Sequence, residues 1–173
     1  MRTTQPPGKR SSRYLDGPCG SGGEWDPCRA SPDRKHFYAD LNKINAQLGD
    51  TERETLLEEL RAAMKLGEQG ELPYGERAPG RVCVTARRED VLELRVAAFS
   101  GATLRDSTGP EEVLFRMYYA EPESYPRALW LASMTIKRPD TTNWRAIQNS
   151  DIDEAHTRLE AFDVYCSQKR VAP

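Results

Sequence analysis

Three short apolar runs limit what this chain can fold into: VLELRV at 91–96, VLFRMYYA at 113–120 and LWLASMTIKRP at 129–139. Each is rich in β-branched and aromatic residues, and stretches of Gly, Pro and acidic residues separate them. Runs of this length, bounded by turn residues, read as successive strands of an antiparallel meander. RVCVTAR at 81–87 precedes them as a first strand, with Val82, Val84 and Ala86 on one face. Alternation in the second strand sends Leu92, Leu94 and Val96 one way and Glu93 and Arg95 the other. In the third, Val113, Phe115, Met117 and Tyr119 share a face, and Leu114, Arg116 and Tyr118 take the opposite one. A long polar loop at 98–112 joins these two strands. The fourth strand, Leu129 to Ile136, runs into Lys137 and Arg138.

Helical spacing appears on both sides of this block. Phe37, Leu41, Ile44 and Leu48 recur at a period near 3.6, and Gly49 ends the pattern. Thr51 with Glu54 has the spacing of a capping box, and Leu56, Leu57, Leu60 and Met64 continue a second helix to about Leu66. Gly67 suits the left-handed position after it. So short a turn predicts an antiparallel hairpin of helices. A link holding Gly70, Pro73, Gly75, Pro79 and Gly80 leads into the strands, and 139–149 reads as a connector after them. The last helix is expected at 150–162, started by Asp151 with Glu154 or by Ser150 with Asp153. Its stripe of Ile152, Ala155, Leu159, Phe162 and Cys166 should pack on the sheet. The expected fold is α+β: an N-terminal helical hairpin, an antiparallel sheet of about four strands and a C-terminal helix.

A length of 173 residues suits one domain, here 33–168, preceded by a tail at 1–32. Pro6, Pro7, Pro18, Pro27 and Pro32 with several glycines leave that tail too few apolar residues to offset the entropy of ordering, so a flexible segment is expected. Trp25 is the residue in it suited to local docking. No apolar run approaches the roughly 18 residues of a membrane span, and no apolar segment follows the basic start, so the cytoplasm is the expected location. Cys19 and Cys28 with His36 lack the tight spacing of a zinc site, so no metal or other cofactor is expected. Cys83 and Cys166 fall on apolar positions and read as core. A net charge of −2 excludes bulk phosphate-driven nucleic-acid binding and leaves only a local basic patch.

Arg95 and Arg116 on neighbouring strands admit two readings from residue type alone. They are either exposed cross-strand residues pairing with Glu93 and others, or a site for an anion. His156 suits a solvated or capping role better than that of a base. Trp130 and Trp144 suit packing, and the Asp151, Asp153 and Glu154 carboxylates suit a helix N-terminus.

In order and spacing, several strings resemble the RelE/HigB superfamily of bacterial toxins, especially its phage-derived HigB-like branch. They are Glu93-Leu94-Arg95, Phe115-Arg116-Met117-Tyr118-Tyr119, Leu129 to Ile136 leading into Lys137-Arg138, and Ala155-His156-Thr157-Arg158, within roughly 36–162. The resemblance implies a RelE-like fold and a metal-independent endoribonuclease that cuts messenger RNA at the ribosome and arrests translation. It also implies a cognate antitoxin, in oligomers with which such toxins are held in check. On this reading Arg116 stabilises the phosphate, with Arg95, Lys137 and Arg138 as supporting cations. Tyr118, on the Arg116 face, stacks on a base, and Arg95 and Arg138 also contact the RNA. The same fold would serve a non-catalytic phage- or plasmid-type interaction protein or a gyrase-directed toxin, because a fold does not fix a target.

Overall fold

The computed structural model describes residues 22–29, 35–73, 80–139 and 142–171. In chain order these form β1 (Glu24–Pro27), α1 (His36–Asn45), α2 (Asp50–Gln69), β2 (Val82–Val84), β3 (Leu92–Ala102), β4 (Glu111–Ala120), β5 (Ala128–Lys137) and α3 (Trp144–Val171). The strands make one five-stranded sheet in the order β1-β5-β4-β3-β2. β2 to β5 are the antiparallel meander, and β1 adds to its far edge parallel to β5, with Glu24 opposite Ala128 and Pro27 opposite Leu131. The fold is therefore α+β, with a mixed sheet in place of a purely antiparallel one.

β1 corrects the expectation of a tail through residue 32. Trp25 holds this strand in place: its Nε1 donates to the Met64 carbonyl at 2.8 Å, and its ring meets Tyr119 edge-on. Gly67 lies inside α2 against that indole, where an added Cβ would fall 2.4 Å from Trp25 Cζ2. The left-handed cap expected at Gly67 is at Gly70, with φ 71°. Residues 1–21, and with them most of the expected tail and Cys19, lie outside the described residues.

Two cores sandwich the sheet. On one face, α1 packs chiefly on β5 and α2 on β3, burying Phe37, Leu41, Ile44, Leu56 and Leu60 against Leu92, Leu94, Phe115, Met117, Tyr119 and Leu131. The two helices share the sheet as their support more than they support each other, which modifies the expected hairpin. On the other face, Ile152, Ala155, Leu159 and Phe162 of α3 cover Tyr118, Ala120, Trp130 and Ala132. Cys28 belongs to this second core, whereas Cys83 and Cys166 are only partly buried.

Alternation holds along β4 but breaks in β5. Tyr118 pairs with Ser133 and Tyr119 with Leu131, so one residue, Ala132, is extra. Such a bulge shifts the phase of every side chain beyond it. Leu131 and Met134 lie in the core under α1 and α2, and Ser133, Thr135 and Lys137 are thrown onto the face of Arg116 and Tyr118. Without the bulge, strict alternation from Leu131 would put Lys137 on the α1–α2 face.

α3 starts at Trp144, well before the expected 150. The residues from 144 to 151 carry no apolar stripe that would announce a helix. They extend α3 past its core and over the polar end of the β4–β5 surface.

Candidate functional site

The polar end of the α3-facing surface is organised by Glu93. Arg95 and Arg116 stand directly opposite each other on β3 and β4, an arrangement that like charges disfavour. The Glu93 carboxylate lies between them and accepts from Arg95 Nε at 3.0 Å and from Arg116 Nη1 at 2.8 Å. Gln148 of α3 adds a third bond, from Nε2 to Glu93 Oε2 at 3.1 Å. Glu93 and Arg116 are 2% and 3% exposed, so this is a buried, hydrogen-bonded ion network. Both arginines thus pair with Glu93, Arg116 across strands and Arg95 along β3, but in the interior and not on an exposed surface.

Beside the network is a pocket of about 190 Å³ between the β4–β5 surface and the first turns of α3. Arg116, Lys137 and Arg138 line it with Tyr118, Trp144 and Asp151. Three of the four cations expected at the site therefore converge here, and Arg95 adjoins them through Glu93. Each cation has a structural partner. Lys137 Nζ sits 3.7 Å from the centre of the Trp144 ring, and Arg138 pairs with Asp106 at 2.7 Å and more loosely with Glu111 at 3.7 Å. Trp144, expected as a packing residue, is half-buried in the pocket wall, whereas Trp130 is fully buried as expected.

Tyr118 differs from its expected role. It lines the pocket but has no exposed surface, so its ring offers no stacking platform for a base. Its hydroxyl is buried without a hydrogen bond, as are Arg116 Nε and Ser133 Oγ on the same face. Burial and the nearby Glu93 charge push the Tyr118 phenol well above its usual range. Buried polar atoms without partners are uncommon, and an ordered water or a polar ligand satisfies them equally well.

Asp151 is the residue that sequence reasoning assigned elsewhere. Because α3 begins at Trp144, Asp151 is no N-terminal residue; it lies two turns in, on the helix face of Gln148 and Ile152. Burial raises its carboxyl to about 6, only partly offset by the Thr135 hydroxyl and Arg116. The available signal was spacing: Gln148 and Asp151 continue, with polar residues, the stripe that Ile152, Ala155, Leu159 and Phe162 make apolar.

The remaining candidates sit outside the pocket. Nδ1 of His156 contacts Asp90 at 3.0 Å and its Nε2 contacts Glu160 at 3.4 Å, consistent with a structural role. Arg158 of the Ala155-to-Arg158 string bonds Asp40 and the Ala132 carbonyl and pairs with Glu154, tying α3 to α1 and to the edge of β5. Among the described residues no cluster of His, Cys, Asp and Glu could hold a metal, and no helix is long and apolar enough to cross a membrane. Comparison with protein-family models, with curated proteins and with solved structures finds no match for this chain.

Proposed function

We propose that the pocket beside Arg116 receives the phosphate backbone of RNA, and that the chain is an endoribonuclease of the RelE/HigB-like kind. On this reading it cuts messenger RNA at the ribosome and is restrained by a cognate antitoxin. The observation that supports it is convergence. Arg116, Lys137 and Arg138, chosen for the strings they occupy, line one pocket, and the β5 bulge is what brings Lys137 to it. Guanidinium groups suit a phosphate because they donate paired bonds and stay charged. Cations held by a protein scaffold stabilise the charge that develops on a phosphorane.

A second reading rests on Glu93. It neutralises both strand arginines from within the sheet, and Asp106 and Glu111 engage Arg138, so much of the positive charge is already compensated. A surface of this kind suits a non-catalytic interaction protein whose pocket binds a partner without cutting RNA.

Induced expression in a bacterial host, with protein synthesis followed by pulse labelling, separates the two. The nuclease reading expects rapid arrest by the wild type and loss of arrest in Arg116→Ala and in Lys137→Ala, a less buried change that leaves the Glu93 network intact. Continued synthesis in cells holding soluble wild type would favour the interaction protein. Arrest retained by both folded variants would sink the assigned roles.

A further inference from the structure

The proposed nuclease has cations for the phosphate but, in the set drawn from the strands, no group to take the proton of the attacking hydroxyl. The structure points to one. Asp151 lines the pocket together with Arg116 and is the only carboxylate among the described residues of its lining. Nearby acids are engaged: Glu93 by Arg95 and Arg116, Asp106 and Glu111 by Arg138, Asp153 by Arg87 and Arg88, and Asp40 and Glu154 by Arg158. Asp151 makes no ion pair among the described residues. The Tyr118 hydroxyl, also in the pocket lining, is buried without a well-formed hydrogen bond, and the Asp151 carboxylate has the Thr135 hydroxyl and the Arg116 charge beside it but no paired cation.

We propose that Asp151 is the general base of this pocket, taking the proton from the 2′-hydroxyl of a bound ribonucleotide. The proposal rests on the ribonuclease reading and names the group that reading lacked. As the proton moves to the Asp151 carboxylate, the 2′-oxygen forms a bond to the adjacent phosphorus. The bond from phosphorus to the 5′-oxygen breaks, and the leaving oxygen keeps the electron pair and takes a proton from water. Asp151 then returns its proton to solvent, leaving a 2′,3′-cyclic phosphate and a 5′-hydroxyl end. Neither metal nor oxidant enters the balance. Arg116 and Lys137 offset the charge gathering on the phosphorane.

The surroundings set the working range of the base. Arg116 on β4 and the Thr135 hydroxyl on β5 favour the carboxylate, whereas burial, Glu154 on α3 and Asp40 on α1 oppose it. Lys137 and Arg138 at the end of β5 and Tyr118 on β4 complete the ionisable groups of the pocket. A carboxyl raised to about 6 is a stronger base than an ordinary aspartate and is still mostly ionised at neutral pH.

The test is cleavage of a messenger RNA on purified bacterial ribosomes by the full chain, mapped by primer extension between pH 5 and pH 8. Wild type should gain activity as pH rises through about 6 and then level off. Asp151→Asn, nearly the same in shape, should lose on the order of 10²-fold or more. Asp151→Glu should recover part of the rate with a displaced pH limb, which a purely structural role would not produce. Cleavage by Asp151→Asn at the wild-type rate, or an unchanged pH limb in that variant, would overturn the role of Asp151 alone. Absence of cleavage by wild type at every pH would overturn the ribonuclease reading and this inference with it.

Discussion

Replacing Glu93 by Gln would leave Arg95 and Arg116 opposite each other on β3 and β4 with no negative charge between them. Removing one partner from a buried, hydrogen-bonded ion network costs about 3–5 kcal/mol, mainly because the remaining charge is left uncompensated. Glu93→Gln should therefore lower stability by an amount in that range, read from the midpoint of urea unfolding. A variant that also changes Arg116 to Met should regain part of the loss. Asp151 has the opposite sign. Its folded carboxyl titrates near 6, above the ordinary aspartate value, so the fold favours the protonated form. That contribution is fully present below about pH 4 and disappears as pH rises through about 6. Asp151→Asn should thus be more stable than wild type at pH 8, by about 1 kcal/mol once solvent screening of a partly exposed group is allowed for, and indistinguishable from it near pH 4. Urea titrations at the two pH values decide this. The same residue would then give up stability to keep an ionised base in the pocket, which is common where function and stability compete.

At the scale of elements, the contact between β1 and α2 has its own test. A methyl group added at Gly67 would collide with the Trp25 indole, so Gly67→Ala should cost about 1–3 kcal/mol. In a Trp25→Ala background most of that cost should vanish, giving a coupling energy that a double-mutant cycle on unfolding midpoints would reveal. This contact also shows what the sequence could and could not disclose. The apolar runs at β3, β4 and β5 and the periodic stripes of α1, α2 and α3 were legible, because burial on one face imposes period 2 or period 3.6. Glu24–Pro27 was not, since EWDP has neither alternation nor strand-forming composition and sits among Pro and Gly. It is a strand because β5 offers an edge and α2 a slot for the indole, and both are tertiary facts. The first turns of α3 were hidden for a similar reason: Gln148 and Asp151 face a polar surface, so their stripe has no apolar signature. Of the site, the arginines and Lys137 could be picked out by their strings. Their convergence could not, because it depends on one extra residue in β5 that no local pattern announces.

Across the whole molecule the two faces of the sheet divide the work. The α1–α2 face holds the larger apolar core, whereas the α3 face is apolar at one end and polar and hollow at the other. Ionisable groups can gather around the pocket because the opposite face carries most of the burial. β1 has a further consequence, one of timing. Residue 24 pairs with residue 128, so a chain leaving the ribosome cannot seat its first strand until most of the rest has been made. At about 5–20 residues per second that delay is on the order of 5–20 s. For that interval β1 has no strand to pair with, because β5 is its partner in the sheet. Newly made chains would be most open to chaperones and proteases during this window, and the last strand to emerge completes the sheet by capturing the first.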